Sequence, residues 1–339
     1  MSAELTPEQA VGGLWRRSRE GAGARPERSQ REQRRGFRYL LRRMWFYRYV
    51  YLLMLPGLLY FLIFEYVPMW GIVIAFFDYR PWLGLSNSPF VGLENFRMFF
   101  ESIYFVRLMR NTLIISLLSL FLYFPAPILL ALLLNEVRHS LYKRFIQTVS
   151  YLPHFISWVV IGGLLTYMFS VNVGFLTKVL VVLGFAPLQV LGSENAFYQL
   201  VIGSTVWKEV GWGAIIYLAA MAGINLELYE AATIDGANRL QRALYVTLPG
   251  IIPVIVVMLI LRLGHILSVN YLQIMILIGG DASLLEVGDV IQYWVYRVGF
   301  FQQNFSIATA VGLFLSVIGL VLVWGANRIS RKLTDTGLW

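Results

Sequence analysis

The chain has 339 residues, of which 58% are hydrophobic, 15% aromatic and only 14% charged, with a formal net charge of +9. A soluble domain carries about 25% charged residues, so the composition excludes that class and indicates an all-α polytopic membrane protein. Cysteine is absent, which excludes disulfides and thiolate metal sites. The positive charge gathers in the first fifty positions and in short loops, as membrane topology requires, so nucleic acid is not an expected partner.

In chain order, residues 1–45 form an Arg-rich leader, exemplified by Arg16, Arg17, Arg34, Arg35, Arg42 and Arg43. It is expected to be largely disordered, with its end lying as a basic segment on anionic membrane lipid. The first apolar run starts only near residue 49, so no cleavable signal peptide is expected. Residues 46–339 form the transmembrane domain. Apolar spans are predicted at 50–77, 110–135, 152–171, 197–222, 250–272 and 305–327, each long enough to cross about 30 Å of hydrocarbon. Pro68 predicts a bend in the first span, and Pro125 with Pro127 a kink in the second. Segment 172–196 is too short to span and reads as an interfacial hairpin or a re-entrant element. Segment 279–304 reads as an amphipathic helix at the outer surface, with Trp294 and Tyr296 at headgroup level.

Six spans put both termini on one side of the membrane. The tails, the 136–150 loop with Arg138, Lys143 and Arg144, and the 223–249 loop with Arg239 and Arg242 share that side. The opposite side mixes its cations with Asp78, Glu94, Glu101, Asp281, Glu286 and Asp289. The Lys/Arg asymmetry therefore places both termini and the loop between the fourth and fifth spans in the cytoplasm.

That loop carries the most specific stretch of the chain, Glu230-Ala231-Ala232-Thr233-Ile234-Asp235-Gly236-Ala237, followed by Val246-Thr247-Leu248-Pro249. Leu226 to Asp235 lacks Pro and Gly and predicts a short helix with Asn225 as N-cap. Gly236 interrupts it, Ala237 to Tyr245 predicts a second helix, and Pro249 opens the next apolar run. Asp235 reads equally as a helix-ending cap or as part of a contact surface.

These residues resemble the coupling loop of the permease subunits of bacterial ABC importers. In that family the pattern is Glu-Ala-Ala, three residues, Gly, nine residues, Ile, any residue, Leu-Pro. Every spacing is met here, with Val246 in the Ile position. Leu134-Asn135-Glu136, Tyr151-Leu152-Pro153-His154 and Val295-Tyr296-Arg297 extend the resemblance over about residues 45–339, toward the carbohydrate-importer permeases of the maltose-type branch, and most closely those of lipo-oligosaccharides and polysaccharides. The resemblance implies a pathway half that pairs with a second, similar permease and is powered by two cytoplasmic ATPase subunits. It also implies a solute-binding protein that delivers an oligosaccharide. It assigns ATPase coupling to Glu230, Ala231, Ala232, Asp235, Gly236, Leu248 and Pro249.

The chain contains no Gly-x-x-x-x-Gly-Lys-Ser/Thr loop, so ATP and Mg are expected in the partner ATPase and no cofactor on this chain. Sugars are bound by aromatic faces and hydrogen-bonding side chains, which makes Trp207, Lys208, Trp212, Tyr217, Asn270 and Gln273 candidates for the substrate path. Against that, Lys208 reads as a snorkelling cation, and Trp207 and Trp212 as membrane-belt aromatics. His265 reads as a structural hydrogen-bonder, since no second His or Cys lies nearby to share a metal. Lys208, Arg262 and Arg297 together raise an acidic oligosaccharide as the cargo. A secondary transporter would need coupled acidic residues within its spans, whereas most acids here lie in loops, apart from Glu209. A membrane enzyme would need paired carboxylates or a nucleophile–base set, and none is evident.

Overall fold

The computed structural model describes residues 43–170, 174–184, 190–334 and 336–339. Apart from its last three residues, the leader lies outside them. Two compact units divide the chain, residues 1–70 and 71–339. In the first, helix α1 (Arg48–Tyr60) runs on through a π-helical turn, Phe61–Tyr66, and its described residues are all exposed. The apolar helical run Arg48–Phe76, which reaches into the second unit, is 29 residues long, sufficient to cross a bilayer.

The second unit is helical, with an isolated bridge between Phe77 and Phe90 as its one β-type pairing among the described residues. It comprises α2 (Glu94–Phe100), α3 (Phe105–Asn135), α4 (Ser140–Tyr151), α5 (Trp158–Phe169), α6 (Phe175–Val182), α7 (Glu194–Ala222), α8 (Leu226–Ile234) and α9 (Arg239–Gly264). These are followed by α10 (Tyr271–Ile278), α11 (Ile291–Tyr296) and α12 (Phe305–Thr334). The central element is α7, which packs on α3, α4 and α9. Among the described residues, three apolar clusters form the core. One gathers Phe197, Val201 and Ile274, a second Phe99, Leu108 and Trp294, and a third Ala131, Tyr217 and Ile251.

Among the described residues, four helical runs are long and apolar enough to cross a membrane, 48–76, 105–135, 239–264 and 305–332, or up to six if each of two bent pairs is one span. Those pairs are Ser140–Phe155 with Trp158–Phe169, bent by 105°, and Glu194–Ala222 with Leu226–Ile234, bent by 76°. The predicted third span is therefore a broken element. Its straight part, α5, has 12 residues and rises only about 18 Å. Ser157 starts it as N-cap, accepting a hydrogen bond from the Val160 N–H at 3.3 Å.

Three prolines follow π turns. Pro125 comes after a π turn at Ser119–Tyr123, Pro249 after one at Ala243–Thr247, and Pro68 after one at Phe61–Tyr66. A proline ring collides with the carbonyl four residues back and supplies no N–H. A π turn moves that carbonyl out of register, so the helix widens and continues through the proline.

The fifth span also differs. Its helix ends at Gly264, not at 272, and starts at Arg239. Residues 265–270 leave the helix, and Asn270 restarts it as the cap of α10, its Oδ1 accepting from the N–H groups of Leu272 and Gln273 at 3.0 and 3.2 Å. Around the break stand Arg262, His265, Ser268 and Asn270 among apolar residues, a local fall in hydropathy within the predicted span. Segment 279–304 holds several short turns of helix, and its apolar face is buried within the protein. Trp294 belongs to the core, 5.5 Å from the Phe99 ring, and Tyr296 stacks on Tyr271 at 4.8 Å.

Helices approach closely where they carry glycine. A Cβ at Gly211 of α7 would overlap the Ser150 carbonyl group of α4, and one at Gly319 of α12 would meet the Gly264 carbonyl at the end of α9. Small residues let apolar helices touch backbone to backbone. Gly211→Ala is expected to lower stability by about 1–3 kcal/mol, because a backbone obstacle cannot rotate away. The thermal midpoint of the purified protein in detergent checks this, and a value equal to the wild type would disprove the close approach.

Candidate functional site

Two features of the second unit stand out as sites. The first is the elbow after α7. Asn225 Oδ1 accepts the Glu227 N–H at 3.0 Å and caps α8, and Glu227 lies in the first turn, where the helix dipole favours a carboxylate. No residue of α8 is buried. Glu230 and Ala231 are exposed and Ala232 is partly covered. The Asp235 N–H closes the helix on Ala231 O at 3.0 Å, and the Ala237 N–H reaches Ala232 O at 2.9 Å.

Gly236 makes this ending possible with φ +79°, a left-handed conformation that costs other residues roughly 1–2 kcal/mol. A Cβ there would meet no atom within 4 Å, so within this chain the glycine serves the backbone turn and not close packing. Asn238 and Gln241 then form a reciprocal capping box, with bonds of 2.9 and 2.7 Å, that starts α9. The predicted second helix, 237–245, is thus the beginning of one continuous 26-residue helix. Leu248 and Pro249 lie inside it, past the π turn. Two side-chain bonds fix the elbow's angle: Tyr229 to the Thr247 hydroxyl at 2.9 Å, and Arg242 Nη1 donating to the Thr233 hydroxyl at 3.0 Å.

The second feature is a cavity of about 280 Å³ walled by α3, α5, α7 and the non-helical stretch after Gly264. Tyr123 and Trp158 contribute aromatic surface, and Ser119, Thr205, Asn270 and Gln273 contribute hydroxyl and amide groups. Gln273 Nε2 donates to Val201 O at 2.8 Å and lies 2.9 and 3.0 Å from the Ser204 and Thr205 hydroxyls, which joins α10 to α7. Non-helical backbone amid membrane helices is tolerated where it lines such a cavity. The cavity's charged groups are Glu209 and Arg262. Glu209 Oε2 is bonded to His154 Nδ1 at 2.7 Å, and its other oxygen is 3.8 Å from Lys208 Nζ. The His154 ring stacks flat on Trp212, 4.4 Å between centroids.

The family described as binding-protein-dependent transport system inner membrane component matches residues 123–335. This chain belongs to that family. Its members are permease subunits of ABC transporters, and the permease is a membrane transport component and not an enzyme. Protein LplB of Bacillus subtilis (strain 168) is 44% identical over 86% of this chain and 91% of its own. The polygalacturonan/rhamnogalacturonan transport system permease protein YteP of the same strain is 46% identical over 86% and 90%. A chain in the crystal structure of a bacterial alginate ABC transporter, complexed with an alginate pentasaccharide-bound periplasmic protein, has a TM-score of 0.78. It is 40% identical, with 88% of this chain and 99% of that one covered. A second structure concerns import of the acidic polysaccharide alginate, with a TM-score of 0.77, 41% identity, and coverage of 87% and 99%.

Within this permease the predicted path residues part company. Asn270 and Gln273 line the polar cavity. Trp207 lines a separate apolar cavity of about 510 Å³ beside Leu164 and Met168, and Tyr217 sits in the core. Lys208 is 6% exposed and spends its donors on the carbonyls of Pro153, His154 and Ile156, at 3.3, 2.5 and 2.7 Å. It is not a snorkelling residue, because its charge closes the turn before α5. Arg297 is likewise engaged, as it pairs with Asp289, which also binds Arg107 at 3.0 Å. Beside them, hydrogen bonding to Arg110 holds the exposed Glu286 carboxyl below its ordinary value. His265 Nδ1 lies 3.2 Å from Leu261 O, a local contact.

Sequence reasoning missed the pairing of Glu209 with His154, the Asp289 cluster and the Tyr229–Thr247 bond. His154 and Glu209 are 55 positions apart and Arg107 and Asp289 182 apart, with no spacing pattern to signal either. Thr247 stood inside the coupling stretch, but as one of its variable positions.

Proposed function

We propose that this permease forms half of the translocation pathway of an ATP-driven oligosaccharide importer and takes up force at the Glu230–Pro249 elbow from a separate ATPase subunit. The observation that carries this reading is the continuity of α9. From Arg239 at the elbow, one helix of 26 residues reaches Arg262 at the cavity wall, roughly 35 Å away. A push on the elbow is passed along this one helix toward the cavity. The docking end is prepared: Leu226, Leu228, Ile234, Leu240 and Tyr245 stand exposed on a helix pair whose angle is held by two hydrogen bonds. An apolar patch beside Glu230 is the chemistry of a protein interface.

In this reading residues 46–339 are the permease domain, and the Lys/Arg asymmetry puts both termini and the elbow in the cytoplasm. The assembly contains a second, similar permease, two ATPase subunits that use ATP and Mg, and a solute-binding protein. Family membership supports the binding protein. The names of YteP and of the alginate transporters support an oligosaccharide of the acidic class as cargo.

The test is co-purification of the complex and uptake into proteoliposomes with the binding protein present. Glu230→Ala is expected to lower ATP-dependent uptake by about tenfold or more, the worth of a charged hydrogen bond at an interface. Gly236→Val should do the same, because a β-branched residue cannot hold the left-handed turn. Association and uptake left intact in both variants would refute the coupling role. Uptake driven by an ion gradient without ATP would point to a secondary transporter.

A further inference from the structure

We infer that Arg262 is the residue that reads the carboxylate of the transported sugar, with Tyr123 as the platform beneath it. This rests on the importer reading and assigns its specificity to one side chain.

Arg262 lies in the last turn of α9 and lines the polar cavity. Its guanidinium carbon stands 5.2 Å from the centre of the Tyr123 ring. Among the described residues its side chain makes no hydrogen bond and no ion pair, so its five N–H donors are unspent. A charge withdrawn from water and left unpaired is costly, and intramembrane cations are retained where they face a cavity and its ligand. The other cations raised by the sequence differ on this point. Lys208 is spent on three carbonyls, and Arg297 is paired with Asp289.

The cavity's own carboxylate does not neutralise Arg262. Glu209 is turned to the opposite partners, His154 at 2.7 Å and Lys208 at 3.8 Å, and no oxygen of it comes within 4.0 Å of the Arg262 guanidinium. Glu209 is thus tethered, while the guanidinium is free. An arginine whose face rests against an aromatic ring keeps its N–H edge available for a two-pronged bond to a carboxylate. Around it, Ser119, Thr205 and Asn270 offer hydrogen bonds to sugar hydroxyls, and Trp158 offers a ring face. The set matches a uronic acid residue: one carboxylate, several hydroxyls and one apolar face.

The experiment uses the assembled importer in proteoliposomes and compares uptake of trigalacturonate with uptake of maltotriose. The readout is the ratio of the two. Wild type should favour the acidic trimer. Arg262→Gln should lower the ratio by about tenfold or more, the range for a hydrogen bond to a charged group. Arg262→Lys keeps the charge without the fork and should fall in between. It also carries the test if the Gln variant does not assemble. An unchanged ratio in the variants, or a wild type that prefers the neutral trimer, overturns the role of Arg262 and leaves the importer reading standing. A wild type that takes up neither sugar with ATP overturns both together.

Discussion

Lys208→Met is expected to destabilise the permease by about 3–5 kcal/mol, a loss typical of removing one partner from a buried charged network. The side chain is nearly isosteric, so the loss isolates the ammonium group. Without it the carbonyls of Pro153, His154 and Ile156 face an apolar thioether, and each forfeits a charge-assisted hydrogen bond. Glu209 keeps only His154 as partner. The turn that launches α5 then keeps the His154–Glu209 bond and the His154–Trp212 stack but loses its three ties to Lys208, so the Leu152–Phe155 segment should become the first to open. A fall in thermal midpoint of several degrees, with new protease cleavage near residue 155, is the expected result. A midpoint within about one degree of wild type would rule out this role for Lys208.

The second large effect is expected at Asp289. Its carboxylate is 0% exposed and lies between Arg107 of α3 and Arg297, just after α11. Asp289→Ala leaves two guanidinium groups, each 28% exposed, without the carboxylate between them, and like charges at that range repel. The Nε atoms of both arginines already lack partners, and Arg107 retains the more distant Glu286 carboxylate, 3.6 Å away. A loss of about 3–5 kcal/mol is expected. Asp289 also receives Asn111 through its backbone carbonyl at 3.2 Å, and that bond persists in the variant. The segment should therefore loosen at its 289–301 end while its 285–288 turn stays on α3. Hydrogen exchange along 285–301 checks the order, and uniform loosening of the whole segment would contradict it.

Both effects arise from long-range pairings, and this marks the limit of what the residues in order could tell. The start and the turn of the elbow were legible because they are local: Asn225 caps the helix that begins at Leu226 and Gly236 permits the turn. The bond from Tyr229 to Thr247 that fixes its angle spans 18 positions and was not. The apolar runs were legible by length. Their ends were not, since apolar residues continue on both sides of the break between Gly264 and Asn270. The Trp294 helix was amphipathic as expected, but an amphipathic face does not specify whether lipid or protein covers it. Here Phe99 and Leu108 do.

For the candidate site the division is sharper. Trp207, Lys208 and Trp212 share one helix and the same chemical appeal, yet each has a different surround: an apolar cavity, three carbonyls and a histidine ring. Asn270 and Gln273 reach the polar cavity because the chain breaks out of α9 just before them.

Membrane class, apolar runs, the coupling stretch and the lack of a phosphate loop could all be read from the residues in order, because they depend on composition and on spacing along the chain. Which charges are spent and which is free became visible only in three dimensions. Lys208 and Arg297 meet their partners where the fold brings distant segments together, whereas Arg262 meets an aromatic ring and open space. Whether a buried charge stabilises the fold or waits for a ligand depends on what surrounds it within a few ångströms.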